Sequence, residues 1–345
     1  MFHLTKPHER ALFLVFSELA RQASETPVVL LGTPGTIAER TNAEGTRFWV
    51  RRYSDASGAR REQYVGKTDD SESAAGVQNL RLQIASANAA IASVRLLARS
   101  GYATVDKKAF FTLASLHNRG VFRAGGFLIG THAYGALLNA LGVRAVAYAT
   151  EDVDIARGER LALPEVPSFL GMLRESGVEF VEVPQLDRRA PAVSFKERGV
   201  SRFRVDLLVP SKNEKYPVIP VPELQAHATG LPYLAYLLGP SQMVPILSAH
   251  GVAEVRIPAA ERYATHKILV SQLRGSAGAK TGKDLQQAAV LVDALTEQFP
   301  GALGEAVDAL PKSARRLFGR GLKALRAHLP RTAETAWESL EAGQS

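Results

Sequence analysis

The chain predicts an α+β fold with a central mixed sheet flanked by helices, and three features of the sequence carry that expectation. Short apolar, strand-like runs alternate with helical segments between residues 106 and 222. A breaker-poor stretch at 71–100 reads as a long helix, and Pro210, Pro217, Pro220 and Pro222 close off the middle of the chain. With 345 residues and 46% apolar composition, the chain is long enough for two or three units, each burying its own core.

Taken in order, residues 7–22 have helical periodicity, followed by Pro27 and a turn at 32–35. Residues 46–50 and 62–65 are rich in Phe, Trp, Tyr and Val and read as a hairpin through the turn at 54–58. Arg47, Arg51, Arg52, Arg60 and Arg61 make this hairpin basic. After the long helix come an apolar run at 121–129, a helix at 132–141 and a strand at 143–155. A helix at 168–176 and strands at 178–183, 192–196 and 202–209 follow. From Leu224 onward the sequence reads as mainly helical. The expected units are therefore 1–105 (helix, basic β-hairpin, long helix), 106–222 (the sheet-bearing core) and 223–345 (a helical unit).

The sequence has no cysteine, which removes disulfides, thiolate nucleophiles and cysteine-ligated metals. A net charge of +8 favours polyanionic partners. The apolar stretch at 11–16 is too short for a signal-peptide core, and 124–149 is broken by His132, Asn139, Arg144 and glycines. No membrane association and a cytoplasmic location are the expectation.

Chemistry concentrates in acids on strand-like segments. In the run Thr150, Glu151, Asp152, Val153, Asp154, alternate strand residues share a face, so Asp152 and Asp154 stand side by side. Such a pair either neutralises itself on a divalent cation such as magnesium or lies in a solvated turn. Asp206 stands alone in the apolar run Val205 to Val209, where a bare carboxylate is expensive. It either meets a metal or pairs with a neighbouring arginine, Arg204 being on its own face. Gly130 and Thr131, between an apolar run and a helix, offer free backbone N–H groups suited to phosphate, or a simple helix cap. Lys267, Arg274, Lys280, Lys283 and Asp284 form a later charged cluster. Residues 275–281 imitate a P-loop but have Ala279 where glycine must precede the lysine. No histidine pair has zinc-ligand spacing, and no serine-hydrolase motif is present.

The order of Gly130 and Thr131, then Asp152 and Asp154, then Asp206 in an apolar strand resembles the DNA polymerase β-type nucleotidyltransferase superfamily. Within it, "FLIGTHAYGALLNALGV", "TEDVDIA", "RFRVDLLVP", "VPELQAHATGLPYLAYLL", "ERYATHKILVSQLR" and "KTGKDLQQA" are similar to a bacterial group of uncharacterised nucleotidyltransferase-fold proteins, distantly akin to abortive-infection and toxin-type transferases. "RFWVRRY" and "QYVGK" extend the likeness toward the N-terminus. The resemblance implies a polymerase β-like core and transfer of a nucleoside monophosphate from an NTP, such as ATP, to a hydroxyl acceptor on RNA (tRNA included), a protein or a small molecule. It implies Mg2+ or Mn2+ on Asp152, Asp154 and Asp206, and nucleotide binding by Gly130, Thr131, Lys267 and Lys283. Many members have about a dozen residues between the glycine pair and the first aspartate. Here Thr131 and Asp152 are 21 positions apart. The alternative expectation is a non-catalytic scaffold that binds nucleic acid through the five hairpin arginines and the aromatic residues Phe48, Trp49, Tyr53 and Tyr64.

Overall fold

The computed structural model describes residues 4–146, 148, 150–164, 168–187, 189–212, 216–273, 279–329, 337–338 and 340–341. After β1 (Lys6–Pro7), helix α1 (Arg10–Glu25) turns Phe16, Leu19 and Ala23 inward. Strands β2 (Thr36–Thr41), β3 (Arg47–Ser54) and β4 (Arg60–Lys67) form an antiparallel meander, one strand more than the expected hairpin. Helix α2 (Ser71–Arg99) matches the long helix of the sequence reading. The Asp70 carboxylate caps it by accepting from the backbone N–H groups of Glu72 and Ser73.

Helix α3 (Lys107–Asn118) is an addition to the expected elements. Residues 109–117 are all buried, and a helix that is covered on every side lacks the one-faced periodicity that marks surface helices. Next come β5 (Gly126–Ile129), α4 (Gly130–Ala140), β6 (Val143–Arg144) and β7 (Asp152–Arg157). The single strand expected over 143–155 is thus two. β6 pairs with β1, while β7 enters the central sheet, and pairing of that kind cannot be read from apolar content alone. Helix α5 (Phe169–Arg174) and strands β8 (Phe180–Glu182), β9 (Ser194–Glu197), β10 (Arg204–Ser211), β11 (Val218–Val221) and β12 (Ala226–Pro232) complete this part.

Among the described residues the central sheet has seven strands in the order β11-β12-β10-β7-β5, with β9 joined to β10 and β8 to β9. The pairs β7–β10 and β10–β12 are parallel, whereas β5–β7 and β11–β12 are antiparallel, so the sheet is mixed as expected. Its core faces are Val153 and Ile155 on β7 and Val205 and Leu207 on β10, all essentially without exposure.

Helix α6 (Leu234–Leu237) leads into the hairpin β13 (Ser241–Ser248) and β14 (Gly251–Pro258). Only then do helices dominate, with α7 (Ala260–Val270), α8 (Ala279–Gln298), α9 (Ala302–Asp308) and α10 (Lys312–Leu325). The expectation of a mainly helical chain from Leu224 therefore needs correcting, because β12 extends the central sheet and β13–β14 covers α3. Alternating burial along β14 is the two-residue period of a strand with one face in the core. No helix among the described residues is long and apolar enough to cross a membrane.

Candidate active site

Register decides where the acids meet. β7 and β10 run parallel with Arg204 opposite Asp152 and Asp206 opposite Asp154. Because Val153, Ile155, Val205 and Leu207 face the core, the four polar side chains share the other face. They line one cavity of about 390 Å³ together with Gly130, Thr131 and Lys267.

The cluster holds more negative charge than its surroundings relieve. Arg204 bridges two of the acids, 3.2 Å from Asp206 and 3.5 Å from Asp152. The ion-pair reading of Asp206 is therefore correct as far as it goes. It does not exhaust the carboxylate, since Asp206 Oδ1 is buried with no hydrogen-bond partner among the described residues. Burial, followed by the neighbouring Asp206 charge, pushes Asp154 up to about 6. Burial also raises Asp206, against the pull of Ser194 and Arg204.

The distant glycine reaches the same place through the antiparallel pairing of β5 with β7, which sets Ile129 opposite Asp154. Gly130 follows directly, at φ +68°, and a methyl group on it would lie 2.0 Å from Asp154 Oδ2. Glycine is required there for the carboxylate to lie against the start of α4. No side chain caps α4, so its first N–H groups remain available. The Tyr263 hydroxyl donates to the Gly130 carbonyl at 2.7 Å and ties α7 to this junction. The 21-residue separation does not move the glycine away from the acids, because the extra chain is spent on α4, β6 and the approach to β7.

Lysines from α7 and α8 form the opposite wall. Lys267 is mostly buried, with Nζ 2.6 Å from a nearly inaccessible Asp284 carboxylate and 5.4 Å from the Tyr263 ring. It does not lie on a solvated face, and Asp284 is its partner. Lys283 Nζ lies 5.3 Å from the Tyr148 ring, and burial plus repulsion from Lys267 lower its pKa. Lys280 is exposed at the rim. Arg274 and most of the P-loop-like segment, residues 274–278, lie outside the described residues.

A family model described as nucleotidyltransferase matches residues 111–311, more than half the chain. The chain belongs to this nucleotidyltransferase family. No curated protein and no solved structure matches it. The matched span includes every acid and lysine of the cavity.

In this nucleotidyltransferase the donors fit a hard cation. The acids offer oxygen only, and magnesium commonly takes one or two carboxylates, its remaining positions going to water and substrate phosphate. Among the described residues no three acidic or imidazole side chains close around one point, so the site offers an open carboxylate face and not a finished cage.

The arginines of the meander are largely committed elsewhere. Arg51 is only 2% exposed and donates to the carbonyls of Pro34, Leu31 and Thr33 at 3.0, 3.0 and 2.7 Å. Register shifts between Trp49 and Val50, and the irregularity leaves Val50 and Arg51 both facing inward. Arg47, Arg52 and Arg61 pair with Glu39, Glu62 and Asp55 at 3.5, 3.0 and 2.8 Å. Arg60 is exposed at the start of β4, and Tyr64, farther along the strand, is exposed beside Phe48.

Proposed function

We propose that this nucleotidyltransferase transfers a nucleoside monophosphate from an NTP to a hydroxyl group on an acceptor and releases pyrophosphate. The observation that carries the reading is the pairing of Asp206 with Asp154 across parallel strands, which leaves an under-neutralised carboxylate face beside free helix N–H groups and two partly buried lysines. Asp152, Asp154 and Asp206 would hold Mg2+ or Mn2+, which when bound supplies charge neutralisation and lowers the pKa of the acceptor hydroxyl.

The chain's own groups account for the remaining roles. The first N–H groups of α4, at Gly130 and Thr131, and the ammonium groups of Lys267 and Lys283 offset triphosphate charge. Asp206 accepts the acceptor's proton as its oxygen bonds to the α-phosphorus, and the bond from that phosphorus to the bridging oxygen of pyrophosphate breaks. Arg204, on the same face of the sheet, holds Asp206 and Asp152 in place. RNA, tRNA included, a protein side chain and a small molecule all offer the required hydroxyl. The non-catalytic nucleic-acid scaffold draws less support, because its strongest arginine is bound to the protein's own backbone.

The test is incubation with magnesium or manganese and each labelled triphosphate, in the presence of total RNA and cell lysate. Pyrophosphate release with transfer of label is expected, and Asp152→Asn combined with Asp154→Asn should abolish both. Activity that survives the double substitution would place the chemistry elsewhere. Salt-sensitive RNA binding without turnover would favour the scaffold reading.

A further inference from the structure

On the other side of α4 lies a second cavity, also of about 390 Å³ and within the range of roughly 300–1,000 Å³ usual for small-molecule sites. Its character is opposite to that of the acidic cavity. None of its lining residues is Asp, Glu, Lys or Arg. Three polar atoms on its walls, Tyr102 OH, His132 Nε2 and Tyr134 OH, are buried with no hydrogen-bond partner among the described residues. Leaving three such atoms unsatisfied is expensive, and a ligand with hydrogen-bonding edges would satisfy them.

The groups are neutral and held in place. Burial pushes His132 down to about 4 and Tyr102 up to about 12, so near neutral pH one is an uncharged imidazole and the other an intact phenol. The Asn139 side chain locks the facing wall by bonding both the N–H and the carbonyl of Ala103, at 2.8 and 2.9 Å. Tyr134 and Tyr148 present rings 5.9 Å apart, surfaces on which a flat molecule can stack.

The two cavities are neighbours. Thr131 lines both, and Tyr148, on the wall of the neutral one, carries Lys283 of the charged one over its ring. The three aspartates line only the charged cavity, and Asp206, the acid nearest an acceptor in the reading above, stands on β10, two strands away from β5 and α4. A donor molecule with one anionic end and one uncharged, flat, hydrogen-bonding end fits the pair of cavities better than an acceptor does.

We propose that the neutral cavity receives the nucleobase of the donor triphosphate, with the phosphates passing Thr131 into the acidic cavity. The proposal rests on the nucleotidyl-transfer reading. In it, Tyr102, His132 and Tyr134 bond the edge of the base, and the Tyr148 ring stacks on its face.

Equilibrium binding to the full chain, with Mg2+, separates the two claims. The ligands are the non-transferable α,β-methylene analogues of the four common nucleoside triphosphates and inorganic tripolyphosphate. At least one nucleotide should bind more tightly than tripolyphosphate. Tyr134→Phe and Tyr102→Phe, which keep the rings, should each weaken that nucleotide about tenfold and leave tripolyphosphate unchanged. If no nucleotide exceeds tripolyphosphate, or if the variants weaken both ligands alike or neither, the base pocket is overturned while the transfer reading stands. If neither ligand binds, both readings fall.

Discussion

The acid-bearing strands β7 and β10 and the basic meander β2–β4 treat charge in opposite ways. In the meander, most of the charge finds a partner within the fold. Arg47, Arg52 and Arg61 face carboxylates, and Arg51 is buried on backbone carbonyls. On β7 and β10, Arg204 pairs with Asp152 and Asp206 but not with Asp154, and a buried oxygen of Asp206 has no hydrogen-bond partner among the described residues. Both regions looked like candidate binding surfaces by residue type. The difference teaches that the fold compensates the meander's charge internally and leaves that of the acids partly uncompensated, and such charge lowers stability unless a ligand answers it.

Substitutions can break that comparison, and the largest effect is expected at Asp206. Asp206→Asn should lower transfer at least about a thousandfold, a barrier increase of about 4 kcal/mol, with little loss of thermal stability, as measured by single-turnover assay and Tm. A variant that loses activity only in proportion to lost folding would make Asp206 structural. Gly130→Ala follows, because its methyl group meets Asp154 Oδ2 at a built distance of 2.0 Å and its backbone sits at φ +68°. Transfer should fall about a hundredfold and Tm should drop, the left-handed backbone alone costing about 1 kcal/mol.

In the meander the effect should be on stability alone. Arg51→Met removes donors from three backbone carbonyls and should cost about 3 kcal/mol, lowering Tm by roughly 6 °C. Arg52→Ala, which breaks an exposed pair, should leave Tm unchanged. Loss of transfer with intact stability in either variant would instead tie the meander to substrate.

The smallest effect is a pH dependence. Asp154 holds its proton to about pH 6 in the folded chain but only to about 4 when unfolded, so folding opposes its ionisation. Its stabilising contribution is complete below about pH 4 and is lost as pH rises through about 6. Without divalent ions, Asp154→Asn should match the parent protein in Tm near pH 4 and exceed it by a few degrees at pH 7.5. Added Mg2+ should narrow that gap. Equal Tm curves at all pH values would mean that Asp154 is relieved by a group other than those named here.

Much of this was legible in the sequence, for identifiable reasons. Asp152 and Asp154 could be placed on one face because a strand alternates, and Arg204 could be named as a partner of Asp206 because the two residues stand two apart. The proximity of Gly130 to Asp154 was not legible, since it depends on β5 pairing antiparallel to β7 across the 22 residues between them. Helix α3 escaped notice because it is buried all round, although Asp106 at its start was a readable cap. The strand period of β14 is present in Val252 to Ile257 but is short beside the helical segments that follow it. The inward turn of Arg51 depends on a register shift, and the neutral cavity draws on four separate stretches of chain, so neither has a local signature.

The parallel register of β7 and β10 has a consequence for how such a protein can diversify. Core residues Val153, Ile155, Val205 and Leu207 face the interior in that register, so the placement of the three acids is anchored to the core. Part of the excursion that leaves β7 and returns at β10 shares in this anchoring, because β9 pairs with β10 and sets Ser194 opposite Asp206, whereas α5 and β8 lie beyond that contact. Chain length can therefore vary more freely between β7 and β9 than between β9 and β10 without moving the three acids.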